Sequence, residues 1–82
     1  MKRAIRWVPE RQENEDCRIA DGSSAYEYDL STEVECAECG MPLVYAGSYT
    51  SRLIFNDLGF GYAVCPRCYA VECDRIRRSY GV

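Results

Sequence analysis

Apolar and polar residues alternate early in the chain. In Ala4 to Val8 (AIRWV), Ile5 and Trp7 flank Arg6, and a period of two predicts a short strand that stops before Pro9. Residues 10–24, ERQENEDCRIADGSS, are polar and close on turn formers, which predicts a long loop. Tyr26, Tyr28 and Leu30 then alternate with Glu27 and Asp29, the pattern of a half-buried strand. Leu43 to Ala46 and Arg52 to Phe55 are two β-favouring runs either side of GSYTS, and they predict a hairpin. A further run, Phe60 to Val64, follows the turn signals Asn56, Asp57 and Gly59 and leads directly into Cys65.

From Pro66 onward the period changes. Tyr69, Cys73, Ile76 and Tyr80 fall at steps of four, three and four, which is one stripe of an α-helix. Pro66 suits its first turn, Asp74 can pair with Arg78, and Gly81 suits the C-terminal cap. The elements together predict a small α+β domain with an antiparallel hairpin or sheet and a C-terminal helix.

Length then changes the question. A chain of 82 residues makes one domain, with a strand and an acidic loop in 1–33 and a cysteine-bearing module in 34–80. A core this small leaves little stability in reserve, so disulfides, a metal or oligomerisation are the expected staples. Six cysteines, at 17, 36, 39, 65, 68 and 73, supply sulfur for the first two. No apolar run has the length of a signal peptide or a membrane span, so a cytoplasmic, membrane-free protein is expected. In that compartment paired thiols hold metal or do redox work more often than they form structural disulfides.

Cys36-Ala-Glu-Cys39 and Cys65-Pro-Arg-Cys68 are two CxxC units with 25 residues between them. Each unit can turn two thiolates toward one ion, and two units supply the four ligands of a closed tetrahedral zinc site. Gly40 after the first unit relieves crowding and Pro66 stiffens the second. Zinc is the expected ion, with iron the less favoured occupant of the same four sulfurs. Cys73, on the helical stripe, reads as a core cysteine, with replacement of a knuckle ligand or pairing with Cys17 as the rival. Cys17, in the acidic stretch, reads as a free thiol.

The segments CAECG and CPRC, separated by a hairpin-like stretch, resemble the knuckles of zinc-ribbon and treble-clef zinc-finger proteins over about residues 34–80. In zinc ribbons and rubredoxins the second knuckle sits on another hairpin, whereas in treble clefs it opens a helix. CPRCYAVECDRIRRSY favours the treble-clef arrangement. Rubredoxin-like knuckles are both followed by glycine, but here Tyr69 follows the second, which moves the resemblance away from electron transfer by iron.

The chain contains no histidine. That removes Ser-His-Asp and Cys-His catalysis and the histidine-ligated zinc hydrolases, so a non-catalytic protein with no small-molecule substrate is expected. The net charge of −3 hides a polarity: residues 12–38 carry nine acids against Arg18, while Arg67, Arg75, Arg77 and Arg78 make the C-terminal helix basic. Those arginines are candidate contacts to nucleic acid or to a nucleic-acid-processing complex, which gives a regulatory or adaptor role. The alternative is an acidic inhibitor or adaptor, of a kind common in phages and mobile elements, whose segment Glu13 to Glu38 engages a basic site on a protein target. The seven tyrosines and Trp7 are expected mainly to build the core.

Overall fold

A computed structural model describes residues 1–80, so the cap expected at Gly81 lies outside the described residues. The strand expected at Ala4 to Val8 is present and longer, β1 (Lys2–Val8), and it turns through residues 9–12 into β2 (Glu13–Ile19). β2 corrects the loop reading of residues 10–24. It lacks a clean apolar period because it is the outer strand of its sheet, with residues 13–16 all exposed. What defines it is an unbroken antiparallel ladder from Lys2 opposite Ile19 to Val8 opposite Glu13. Opposite charges line the same ribbon: Arg3 lies 3.2 Å from Asp16, and Arg11 lies 2.7 and 2.8 Å from Glu13 and Glu15. Exposed pairs of this kind add little energy, but an acidic outer strand also resists pairing with a second copy.

The β1–β2 turn closes with the amides of Arg11 and Gln12 donating to the Val8 carbonyl, and it leaves Gln12 at φ 54°. That conformation is costly for any residue with a Cβ. Gln12→Gly is expected to raise the unfolding free energy by about 0.5–1 kcal/mol, the relief of strain exceeding the added freedom of the unfolded chain. A lowered thermal midpoint for this variant would contradict the account.

The hairpin expected between Leu43 to Ala46 and Arg52 to Phe55 is not formed. β4 (Pro42–Val44) pairs instead with β3 (Glu33–Glu35) across the first cysteine pair, making a separate two-stranded sheet. A short 3₁₀ turn, Tyr45–Gly47, then leads to β5 (Tyr49–Phe55), which pairs with β1 on one side and β6 (Gly61–Val64) on the other. The strand order of the main sheet is β2-β1-β5-β6. Its real hairpin, β5–β6, is closed where the expected turn signals lie: Asn56 Oδ1 accepts the amides of Leu58 and Phe60. The strand expected at Tyr26 to Leu30 is likewise absent: the segment is irregular, with the Ser24 hydroxyl accepting the Tyr26 amide and Asp29 the Ser31 amide.

The helix α1 (Pro66–Ser79) forms as expected, with Pro66 in its first turn and Asp74 bridging Arg77 and Arg78 at 2.9 and 3.0 Å. Tyr69 and Ile76 pack against the core from the expected stripe, and the ring of Tyr69 stacks on Tyr49 at 4.7 Å. Cys73 is half-buried on the same stripe; Cys17 packs beside the core from β2, and both thiols are free. The tyrosines do not build the core as expected: of the seven, only Tyr62 is buried. The centre is instead Ala4, Ile19, Leu53, Ile54, Tyr62 and Val64 together with Cys36, Ala37 and Cys65.

The residue buried most deeply on α1 is charged. Glu72 is 4 % exposed and meets a shift of register in β5 between Thr50 and Phe55. Its Oε1 accepts the Arg52 amide at 2.5 Å and its Oε2 accepts the Ser51 hydroxyl at 2.9 Å. The Ser51 oxygen in turn accepts the amides of Leu53 and Ile54. Three backbone donors that the irregularity frees from the ladder are thereby satisfied by two side chains. Across the ladder, Gly61 lies so close that a Cβ there would overlap the Ser51 carbonyl oxygen.

Candidate metal centre

The first cysteine pair sits in the turn between β3 and β4. The Cys36 amide donates to the Met41 carbonyl and the Gly40 amide to the Cys36 carbonyl, both at 2.8 Å, which curls the chain so that residues 36 and 39 share one side. Gly40 takes φ 81° to complete the curl, a conformation that costs any other residue except asparagine or aspartate dearly. The second pair is set by the junction of β6 and α1. Cys65 is the N-terminal cap residue of the helix and Cys68 lies in its first turn, so both thiols leave the helix at the end where its dipole favours negative charge.

The four Sγ atoms of Cys36, Cys39, Cys65 and Cys68 lie within 4.8 Å of one another. Cys39 and Cys65 are 3.9 Å apart. Zinc–sulfur bonds of about 2.3 Å in a tetrahedron place sulfurs about 3.8 Å apart, so this donor set fits a single thiophilic ion with little movement. Four sulfurs fill a tetrahedron, and the site is therefore a closed one. Cys36 and Cys65 are buried members of the core, Cys68 is half-buried and Cys39 is exposed.

Hydrogen bonding prepares Cys36 in particular. Burial pushes its thiol up, but backbone amides of Cys39 and Cys65 donate to its sulfur at 3.5 and 3.3 Å, and the net effect lowers it to about 7. For Cys68 the balance runs the other way: burial and the neighbouring sulfurs push its thiol well above the ordinary range. Crowded thiols that cannot all ionise at neutral pH are stabilised as thiolates by a cation, so metal uptake must release protons.

A second contact ties this centre to the main sheet. Glu38, inside the first CxxC unit, accepts from Arg6 of β1 at 3.0 Å, and Arg6 is only 19 % exposed. Burial works against the charge of Arg6, while the hydrogen bond and charge of Glu38 outweigh it and raise its pKa.

The arginines expected to form a contact surface are largely engaged within the chain. Arg75 makes a two-bond pair with Glu10 at 2.7 and 2.8 Å, which holds the Glu10 carboxyl down at about 2. Arg77 and Arg78 share Asp74, whose carboxyl is lowered by the Arg77 hydrogen bond and the Arg78 charge. Arg75 and Arg78 line an open groove with Pro9, Gln12 and Ser79, and Glu10 lines it with them. Arg67 is exposed at the helix start, beside a shallow cleft of about 160 Å³ that also touches Cys68, Leu53 and Val71.

Comparison with protein-family profiles, curated proteins and solved structures finds no match to this chain. Among the described residues no helix is long and apolar enough to cross a membrane. Sequence reasoning found all four sulfurs of the cluster. It missed Glu72, Arg6 and Glu38; the available signal for Glu72 was a carboxylate three residues after Tyr69 and four before Ile76, on the apolar face of the helix.

Proposed function

We propose that the chain is a zinc-stabilised, non-catalytic binding protein of the treble-clef type, acting by contact with a protein partner. The observation that carries the metal reading is the convergence of four sulfurs within 4.8 Å from two knuckles, with backbone amides already directed at Cys36. The order of knuckle, β-hairpin and helix, with the last two sulfurs at the helix start, supports the treble-clef class. A closed four-sulfur site has no position for substrate or activated water, which suits a structural ion.

Charge placement favours a protein partner over nucleic acid. Glu27, Asp29, Glu33 and Glu35 meet no basic group among the described residues, while Arg75, Arg77 and Arg78 each have a carboxylate beside them in Glu10 or Asp74. A phosphate backbone would be repelled by the first group and would compete with those carboxylates for the second. Elemental analysis of the purified chain tests the metal reading: one zinc per chain and no visible absorption are expected. A coloured iron protein would overturn the structural-zinc assignment in favour of electron transfer, since ferric thiolate sites absorb in the visible.

A further inference from the structure

The turn between β2 and β3 is built as a platform for side chains that it does not bury. Tyr26, Tyr28 and Leu30 are 72, 92 and 59 % exposed, three large apolar side chains within five residues, where scattered single ones would need no explanation. Their backbone, by contrast, is fixed. The Ala63 amide of β6 donates to the Ser24 carbonyl at 2.8 Å, and the Ser24 hydroxyl donates to Glu27 at 2.7 Å. Asp29 Oδ1 accepts the Ser31 amide and hydroxyl at 2.9 and 2.7 Å, and the Ala46 amide donates to the Leu30 carbonyl at 2.9 Å. Val44 of β4, paired with Glu33, is also exposed, at 48 %.

We infer that Tyr26, Tyr28 and Leu30, with Glu27 and Asp29 between them, form the docking site for a lysine- and arginine-rich protein segment. This rests on the reading of the chain as a protein-binding module and names its contact surface. The commitment to a basic partner follows from charge: Glu27 and Asp29 lie between the apolar side chains and Glu33 and Glu35 follow them in β3, none of the four meeting a basic group among the described residues, whereas Asp21 and Glu38 are already paired with the N-terminal ammonium and Arg6. Tyrosines suit such a site because they bring large contact area at low entropic cost and their faces attract cations. A turn already pinned to β6 and to the β4–β5 connection avoids the ordering cost that a free loop would incur on binding.

The test is an NMR titration of the zinc-loaded, nitrogen-15-labelled full chain with a short soluble peptide rich in Lys and Leu. A matched Glu and Leu peptide and a single-stranded oligothymidine serve as comparison probes. The basic peptide is expected to shift the amides of residues 25–31. Binding should weaken about tenfold or more in the Tyr26→Ala/Tyr28→Ala double variant, as for loss of two anchor side chains, with zinc content and thermal midpoint unchanged. Glu13→Gln/Glu15→Gln, which removes acid from β2, is expected to change affinity by less than the tyrosine variant. Absence of binding, shifts confined to β2, equal binding by the double variant, or the same shifts with the acidic peptide or the oligonucleotide would each overturn the inference. A natural partner that still bound the double variant fully would overturn this surface while leaving the protein-binding reading in place.

Discussion

Stripping zinc from the loaded chain with a chelator is expected to unfold it, with loss of the β-sheet and helix signals in circular dichroism together. Cys36→Ser is expected to do the same with zinc present. Structural zinc sites contribute on the order of 10–16 kcal/mol of apparent binding free energy at neutral pH, against a total stability of about 5–15 kcal/mol for a whole domain. Without the metal's contribution, the small remaining core is not expected to outweigh chain entropy. The location of the sulfurs makes the coupling direct, because Cys36 and Cys65 are members of the core and are 0 and 2 % exposed. Without an ion, those thiols bring poorly matched polar atoms into the only large apolar cluster among the described residues. Cys36 is the sharpest choice of variant, since its sulfur also accepts the Cys39 and Cys65 amides that link the two knuckles. Cys17→Ser and Cys73→Ser lie outside the cluster and should leave zinc stoichiometry at its wild-type value. The sign with pH follows from proton release: protons compete with the metal for the thiolates, so metal is held at higher pH and lost as pH falls. A chelated chain that kept its spectrum and melted cooperatively would contradict the account.

What was legible in the sequence is what local chemistry dictates. A CxxC unit brings its own two ligands together whatever lies around it, so four sulfurs could be assigned from spacing alone. The helix was legible because a fourteen-residue element has room to display its period. The pairing of strands was not, for three separate reasons. β2 faces water along most of its length and owes its form to β1, so its residues carry no alternation of their own. Tyr26 to Leu30 has the alternation but no ladder partner: the amides at its ends go to the Ser24 and Asp29 side chains, and the Leu30 carbonyl accepts the Ala46 amide. β4 is only three residues long and is taken by β3, since the knuckle closed through Cys36, Gly40 and Met41 places those two strands side by side.

Glu72→Ala is expected to lower the unfolding free energy of the zinc-loaded chain by about 2–4 kcal/mol, the cost of leaving the Arg52 amide and the Ser51 hydroxyl buried without partners. Glu72→Gln should recover part of this loss, since its carbonyl can accept one of the two bonds that the carboxyl group accepts. The pH dependence separates this role from that of a surface acid. Burial, acting against the hydrogen bonds from Arg52 and Ser51, raises the Glu72 carboxyl above its ordinary value. The folded state therefore holds this proton more tightly than the unfolded chain. Its contribution is fully present below the unfolded value and declines as pH rises through the folded one. Glu10 has the opposite sign: held at about 2 by Arg75, it contributes above the ordinary carboxylate range and loses that contribution as pH falls toward 2. The difference in stability between wild type and Glu72→Gln, measured by denaturant titration at saturating zinc, should thus shrink as pH is raised above 4.5, the ordinary glutamate value. Taking the difference cancels the stabilisation by zinc, which both proteins share. A gap that widened with pH would mean that Glu72 sits in the fold as a stabilised carboxylate, and a gap near zero throughout would mean that the β5 irregularity is held by something other than the helix.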